Sequence, residues 1–479
     1  MPDADNTLCR SSSVDKLPTG IPGLDEVLNG GIPLGSLTLL SGGPGTGKTM
    51  IGLELLARAA GAGTPCVLLT FEERESALRR YAAGIGLDLA SLEKENLFRI
   101  IGARIDPQAI LAGDFDLKGI TAILSSTLDR LGGKLVLIDA PDAFLGLLSD
   151  RASERAELRI LHEWLVDREL TSIMTVKRSA HNGGDSYYDF LDYMADCVVH
   201  LDQRVQEQIT TRRLRVIKYR GSSYGRNEYP FGITRHGVWI IPVTQTSLQQ
   251  KALGESLPTG VAGMDELMGG GYRRGSCTLF TGGSGTGKTT FVCSFVERIT
   301  SQGEKVLYID FEESWDALLS CMSSPGLKLE PAMDAELMKF LSIMPEAQGV
   351  EEHLIQAFMA IKEFEPHHLV VDAISACRRM GSKHAAFDYM LRLINHCKQR
   401  GITSLLTNLA STRDYGSEIS GMDLSSVIDT AIILRNEESG GEYIREMGIL
   451  KSRGRNHSSA IHPFLITDSG IKVQGGALQ

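Results

Sequence analysis

The octapeptide Gly42-Gly43-Pro44-Gly45-Thr46-Gly47-Lys48-Thr49 returns with one substitution 240 residues later, as Gly282-Gly283-Ser284-Gly285-Thr286-Gly287-Lys288-Thr289. Its surroundings return with it. Leu17-Pro18-Thr19-Gly20-Ile21-Pro22-Gly23-Leu24-Asp25-Glu26 recurs as Leu257-Pro258-Thr259-Gly260-Val261-Ala262-Gly263-Met264-Asp265-Glu266, and Phe71-Glu72-Glu73 as Phe311-Glu312-Glu313. Further on, the offset drops to 233: an apolar run closing in Asp139 matches one closing in Asp372, and Lys218-Tyr219-Arg220-Gly221 matches Lys451-Ser452-Arg453-Gly454. The first half therefore carries about seven extra residues between its Phe-Glu-Glu segment and its aspartate strand. A repeat on this scale fixes the domain count. It predicts two domains, 1–247 and 248–479, joined near the polar stretch from Pro242 to Leu253.

Each half alternates short apolar runs (Leu37 to Leu40, Val67 to Thr70, Cys277 to Phe280, Val306 to Ile309) with helical stretches such as Ala152 to Arg168 and Ala385 to Lys398. Continuous Val, Ile and Leu runs mark strands covered on both faces. The alternation predicts an α/β fold in each half, a mostly parallel sheet flanked by helices. Ligands of such sheets sit outside the carboxyl ends of the strands. Both octapeptides fit G-x-x-x-x-G-K-[ST] and follow an apolar run, the context in which that pattern cradles phosphates. Glycines let backbone N–H groups turn around an anion, the lysine adds a point charge, and the threonine hydroxyl can ligate Mg²⁺. Two copies in register point to a nucleoside triphosphate with Mg²⁺.

Composition narrows the partners. The net charge of −10 supplies no basic field for nucleic acid. No apolar stretch has the length of a membrane span, and the N-terminus lacks a secretory pattern. The eight cysteines form no C-x-x-C pair, and Cys66 and Cys277 lie in apolar runs. Reduced, buried thiols in a cytoplasmic protein are the expectation.

Asp139 and Asp372 close buried strands, where a carboxylate holds the water shell of Mg²⁺ beside Thr49 or Thr289; a helix cap is the alternative. Glu72-Glu73 and Glu312-Glu313 follow the second strand of each half. A carboxylate there can take a proton from an attacking oxygen or orient it, with the first of each pair preferred as base and Glu312 also near the metal. Neighbours on extended backbone face opposite ways, so one of each pair can simply be solvated. Lys218 with Arg220, and Lys451 with Arg453, sit two apart on extended segments with both cationic ends on one side. They read either as an exposed basic strand or as a cationic arm reaching a neighbouring subunit's triphosphate.

This tandem layout resembles the RecA/DnaB-related ATPases, and more closely the KaiC family. Gly30-Gly31-Ile32-Pro33-Leu34-Gly35, Tyr229-Pro230-Phe231 and Ile428-Asp429-Thr430-Ala431-Ile432-Ile433-Leu434 strengthen the likeness. The resemblance implies two RecA-like domains, assembled as a homohexamer of two stacked rings with ATP between subunits, and a KaiB-like partner. It implies a slow ATPase in the first domain, with Glu72 as base. It implies an autokinase in the second, with Glu312 as base and Ser425 and Ser426 as acceptors; the second acceptor is serine where the family has threonine. Ser420 matches a nearby family threonine. The corresponding first-half segment, Tyr193 to Val199, has no hydroxyl pair.

Nucleotide contacts implied by the resemblance are Gly45, Thr46, Gly47, Lys48, Thr49 and Met50, with Lys218, Tyr219, Arg220 and Ser222 from the neighbouring subunit. In the second half they are Ser284, Gly285, Thr286, Gly287, Lys288, Thr289 and Thr290, with Arg445, Lys451, Ser452 and Arg453. Pro325 replaces an aromatic near the second base pocket and Gly84 replaces a polar contact, so base selectivity is expected to be looser. The family's C-terminal partner-docking tail has no counterpart before Gln479, so activation through such a tail is not expected. The competing reading is a RecA/DnaB-type nucleic-acid motor, with Arg151, Arg155 and Arg159, or Arg378, Arg379 and Lys383, as its basic stripes.

Overall fold

The computed structural model describes residues 14–103, 117–145, 148, 150–178, 189–206, 209–242, 251–410 and 423–474. The chain divides into two compact units, Met1–Thr246 and Ser247–Gln479.

The first unit is built on one nine-stranded sheet. Its strands are β1 (Leu37–Gly42), β2 (Cys66–Thr70), β3 (Phe98–Gly102), β4 (Leu135–Asp139), β5 (Thr171–Lys177), β6 (Cys197–Gln206), β7 (Ile209–Tyr219), β8 (Glu228–Thr234) and β9 (Gly237–Ile240). They lie in the order β3-β2-β4-β5-β1-β6-β7-β8-β9. From β3 to β6 all pairings are parallel. Beyond β6 they are antiparallel.

The second unit repeats this plan. Its strands are β10 (Cys277–Gly282), β11 (Val306–Asp310), β12 (Met338–Ser342), β13 (His368–Asp372), β14 (Thr403–Leu409), β15 (Thr430–Ser439), β16 (Glu442–Ser452), β17 (Ile461–Thr467) and β18 (Gly470–Val473). Their order, β12-β11-β13-β14-β10-β15-β16-β17-β18, is the first unit's order strand for strand. The expected pair of mostly parallel, helix-flanked sheets is what the chain forms. The extra first-half residues fall between β3 and the helix Leu117–Leu131, because the matching gap from Ser342 to Val350 is shorter.

Burial explains the unbroken apolar runs. Along β2 and β4, Leu68, Leu135 and Leu137 enter one core, while Val67, Leu69, Val136 and Ile138 enter another on the opposite face. Both faces are covered, so no polar alternation survives. Each central helix packs on one face of its own unit's sheet: α1 (Lys48–Gly61) buries Ile51, Leu53, Leu55 and Leu56, and α2 (Lys288–Thr300) buries Phe291 and Phe295. Phe295 meets Tyr272 and His368 edge-on, with ring centroids 5.2 Å away in each case. Cys66 and Cys277 are free and buried, and burial raises both thiols above their ordinary range. No helix among the described residues is long and apolar enough to cross a membrane.

At the amino ends of β11 and β13 the Arg274 guanidinium grips Glu304 with two bonds of 2.8 and 2.7 Å, and His368 Nε2 donates to the same carboxylate at 2.7 Å. The Arg274 hydrogen bond holds Glu304 down to about 2, while burial brings His368 down to about 4, so the ring is neutral at pH 7. A carboxylate depressed on folding adds stability above its unfolded pKa, and that stability is lost as pH falls toward the folded value. Glu304→Gln should therefore cost about 1–3 kcal/mol at pH 7, and less than half of that by pH 3. Urea unfolding of both proteins across this range checks it, and a pH-independent difference would contradict it.

Candidate functional site

Both phosphate-loop motifs connect a central strand to a central helix. β1 ends at Gly42 and α1 begins at Lys48; β10 ends at Gly282 and α2 begins at Lys288. The residue before each helix is a glycine with positive φ, 100° at Gly47 and 93° at Gly287. A Cβ there would also meet Ile233 Cδ1 at 2.8 Å or Ile466 Cδ1 at 2.9 Å. Backbone strain and packing thus both demand glycine. Met50 and Thr290 continue the first helical turn. Pro44 and Gly45, like Ser284 and Gly285, form the exposed rim, while Thr46 and Thr286 lie buried beneath it. Their hydroxyls donate to Gly43 O at 2.8 Å and Gly283 O at 2.9 Å, holding each loop in shape.

The lysines turn back over the loops. Lys48 Nζ donates to Gly42 O and Gly43 O, each at 2.8 Å, and Lys288 Nζ to Gly282 O at 3.0 Å and Gly283 O at 2.7 Å. Burial lowers both ammonium pKa values, opposed by Asp142 and Asp139 in the first unit and by Asp372 and Glu312 in the second.

The strand-end aspartates meet the helix-start threonines. Thr49 Oγ1 donates to Asp139 at 3.1 Å, and Thr289 Oγ1 to Asp372 at 2.8 Å. Among the described residues the other partners of these carboxylates are also hydroxyls: Thr175 to Asp139 at 2.7 Å, Tyr308 to Asp372 at 2.9 Å, and Thr407 to Asp372. The helix-cap alternative does not describe these bonds. Burial, the largest influence, raises Asp139 above the ordinary carboxylate range, with the hydroxyl donors opposing it. Among the described residues no three His, Cys, Asp or Glu gather into a metal cage. One carboxylate beside one hydroxyl fits Mg²⁺, which takes few protein oxygens and completes its shell with water and phosphate.

The glutamate pairs flank these loops. Glu72 is exposed and receives Lys177 Nζ at 3.1 Å, and it stands among the charges acting on Lys48 and Asp139. Glu73 is half-buried, its N–H donating to Thr70 Oγ1 at 3.1 Å. In the second unit Glu312 lies 4.0 Å from Arg379 and acts on Lys288. Burial raises Glu313, as do the Asp372 and Glu312 charges. Of each pair, the first glutamate is the one whose charge acts on the loop lysine.

The Lys-x-Arg pairs do not approach their own chain's loops; their hydrogen bonds go elsewhere. Lys218 Nζ donates to Asp192 O and Ala195 O, each at 2.6 Å, and Arg220 to Tyr193 O at 2.7 Å. Tyr219 is buried with its hydroxyl on Gly31 O at 2.8 Å, and Ser222 accepts from Lys16 Nζ at 2.6 Å. In the second unit Lys451 Nζ donates to Ser425 O at 2.9 Å and Ile428 O at 2.8 Å, while Arg453 donates to Ser426 O at 3.1 Å. The cations therefore grip the segment that carries Ser425 and Ser426, a single 3₁₀ turn from Leu424 to Ser426. Ser426 is exposed and Ser425 half-buried. Asp429 anchors the segment's far end through a buried ion pair with Lys398 at 2.7 Å. Arg445 and Ser452 lie half-buried on β16. Ser420 lies outside the described residues.

Several cations of the basic stripes are engaged by neighbours. Arg159 pairs with Glu163 at 2.8 Å, Arg379 with Glu346 at 3.3 Å and Lys383 with Asp423 at 3.3 Å, while Arg155 lies over the Phe190 ring. Sequence reasoning missed Asp310, whose carboxylate takes the N–H groups of Glu312 at 2.8 Å and Glu313 at 2.6 Å and so shapes that turn. Burial pushes Asp310 up to about 7. The first unit uses Thr70 at this position. Thr175, Thr407 and Lys177 were missed too. The two threonines left a signal, a hydroxyl recurring in the matched runs Thr171-Ser172-Ile173-Met174-Thr175 and Thr403-Ser404-Leu405-Leu406-Thr407.

Residues 17–245 and again 257–477 match the family described as ATPase: KaiC. The chain is 35% identical to the circadian clock protein KaiC2 of Synechocystis sp., over 97% of this chain and 82% of that protein. It is 31% identical to KaiC3 of the same organism, over 97% and 92%. With the circadian clock oscillator protein KaiC of Synechococcus elongatus it shares 32% identity, over 98% and 91%. Twin loops on twin sheets, each locked to a strand-end aspartate, are thus the framework of a chain that belongs to the KaiC family of ATPases.

Proposed function

We propose that the protein is an ATP-hydrolysing serine autokinase of a clock or signalling system, working in the cytoplasm as a homohexamer of two stacked rings. The grip of Lys451 and Arg453 on the carbonyls around Ser425 and Ser426 carries the reading. It joins the arm proposed to reach a neighbour's triphosphate to the segment proposed to receive phosphate. The units proposed as functional domains are 1–247 and 248–479. The relatives named as clock proteins support the timing role, and a KaiB-like partner belongs to the same proposal.

In each site the loop N–H groups and Lys48 or Lys288 bind the phosphates. Thr49 with Asp139, and Thr289 with Asp372, would hold Mg²⁺, with Glu312 near it. Mg²⁺ held there would supply positive charge against the bound triphosphate. Glu72 takes the proton from the water that attacks the γ-phosphorus in the first site. Glu312 takes it from the serine hydroxyl of the adjacent subunit in the second, and ADP leaves from both. Glu73 and Glu313 shape the turns that present these bases. Lys218 and Arg220, or Lys451 and Arg453, neutralise charge on the transferring group from across the interface. A nucleic-acid motor is not favoured, because the net charge is −10 and Arg159, Arg379 and Lys383 of the basic stripes are paired with acids.

Asp372→Asn keeps a hydrogen-bonding group for Tyr308 and Thr289 but removes the charge. ATP affinity in Mg²⁺ should fall about tenfold or more, while affinity in EDTA changes little. Calorimetric titration with and without the metal separates the cases, and an equal loss in both would contradict a metal role.

Incubation with Mg²⁺ and γ-labelled ATP should place label on Ser425 or Ser426, located by peptide mapping. Glu312→Gln should reduce labelling by about 100-fold or more and leave first-site hydrolysis largely intact. Hydrolysis with no protein-bound label would reduce the protein to an ATPase.

A further inference from the structure

Lys177 ends β5, and strand geometry fixes where it emerges. Side chains two residues apart share a face. Thr175 donates to Asp139 at 2.7 Å, so that face looks onto the corner assigned to Mg²⁺. Lys177 stands opposite Gly42 in the β1–β5 register, and the Lys48 ammonium donates to the carbonyl of that same Gly42. Lys177 Nζ lies 3.1 Å from Glu72, and its charge is among those acting on Lys48. Two ammonium groups and the proposed base thus share one neighbourhood at the mouth of the first loop. The ion pair is about half exposed on both sides, 48% and 48%, and pairs of that kind contribute little to stability. In the second unit the residue two past the matching Thr407 is Leu409, which has no charge to offer.

We propose that Lys177 is a second cation for the terminal phosphate of ATP in the first site, supplied by the same chain, and that it leaves Glu72 for that phosphate when ATP binds. The proposal rests on the reading of this site as an ATPase with Glu72 as base. The γ-phosphoryl group carries more negative charge than a single carboxylate and offers three acceptor oxygens, so it competes for the ammonium. Once released, Glu72 takes a proton from the attacking water as the new P–O bond forms. The bond to the β-phosphate oxygen breaks, and ADP keeps its electron pair. ADP lacks the γ-group, so with ADP bound Lys177 stays on Glu72. The base is thereby freed only by a triphosphate, and only in the first unit.

The test uses the full chain carrying Lys288→Ala, which confines binding to the first site. Dissociation constants for ATPγS and ADP are measured with Mg²⁺ by calorimetry, with and without Lys177→Met. The expected result is about tenfold weaker ATPγS binding with ADP changed less than twofold, and Lys177→Arg restoring most of the difference. Lys177→Leu, the residue type at the second site, replaces the methionine variant if that variant fails to fold. Equal weakening of both nucleotides would make Lys177 a structural residue and overturn the proposal. Unchanged affinities with faster turnover would make it a restraint on Glu72 and overturn it equally. If the Lys288→Ala parent binds no nucleotide, the underlying ATPase reading fails, a result distinct from these.

Discussion

A buried carboxylate at the tip of a strand, hydrogen-bonded to the threonine that opens the central helix, organises each half of this molecule. Thr49 with Asp139, and Thr289 with Asp372, tie the loop-bearing helix to a strand two positions away in the sheet. A buried carboxylate is costly unless its lone pairs are satisfied. Here Thr175, Thr407 and Tyr308 satisfy them from neighbouring strands. The same donors fix where the carboxylate points, so the requirement for a satisfied core and the requirement for an oriented site are met by one set of bonds.

The two sites share that frame and differ at its edges. Where Thr70 supports the Phe-Glu-Glu turn of the first unit, Asp310 supports it in the second with two backbone bonds. Lys177 has Leu409 as its counterpart. The second unit alone buries Lys398 against Asp429, just behind the segment carrying Ser425 and Ser426. The matching first-unit position is the exposed Val166. Breaking a buried pair of this kind costs about 3–5 kcal/mol, so the segment's far end is held far more firmly than a surface turn. Arg453 and Asp429 have a parallel in Arg220 and Asp196, a pair that both units share.

Much of this was legible in the sequence, and the reasons are physical. Short unbroken Val, Ile and Leu runs suit strands covered on both faces, and Gly-x-x-x-x-Gly-Lys-Thr suits a turn where glycine's backbone freedom and a helix start coincide. The repeat supplied much of the rest: the phosphate loops, the Phe-Glu-Glu segments, the strand-end aspartates and the Lys-x-Arg pairs each occur in both halves. Contacts between strands distant in sequence were not legible. Thr175 and Asp139 lie 36 residues apart and meet only because β4 and β5 are neighbours. Lys177 reads as an ordinary strand-end cation until the sheet places it beside Glu72. Lys218 and Lys451 show the opposite case. Their spacing was evident, while the carbonyls they grip depend on a turn that no local pattern marks.

The most direct test is the number of nucleotides one chain holds. Equilibrium dialysis with Mg²⁺ and a non-hydrolysable ATP analogue should give two bound molecules per chain, with Lys48→Ala and Lys288→Ala each removing one. A wild-type chain that saturates at one, or loses both to a single substitution, would contradict two independently built phosphate sites.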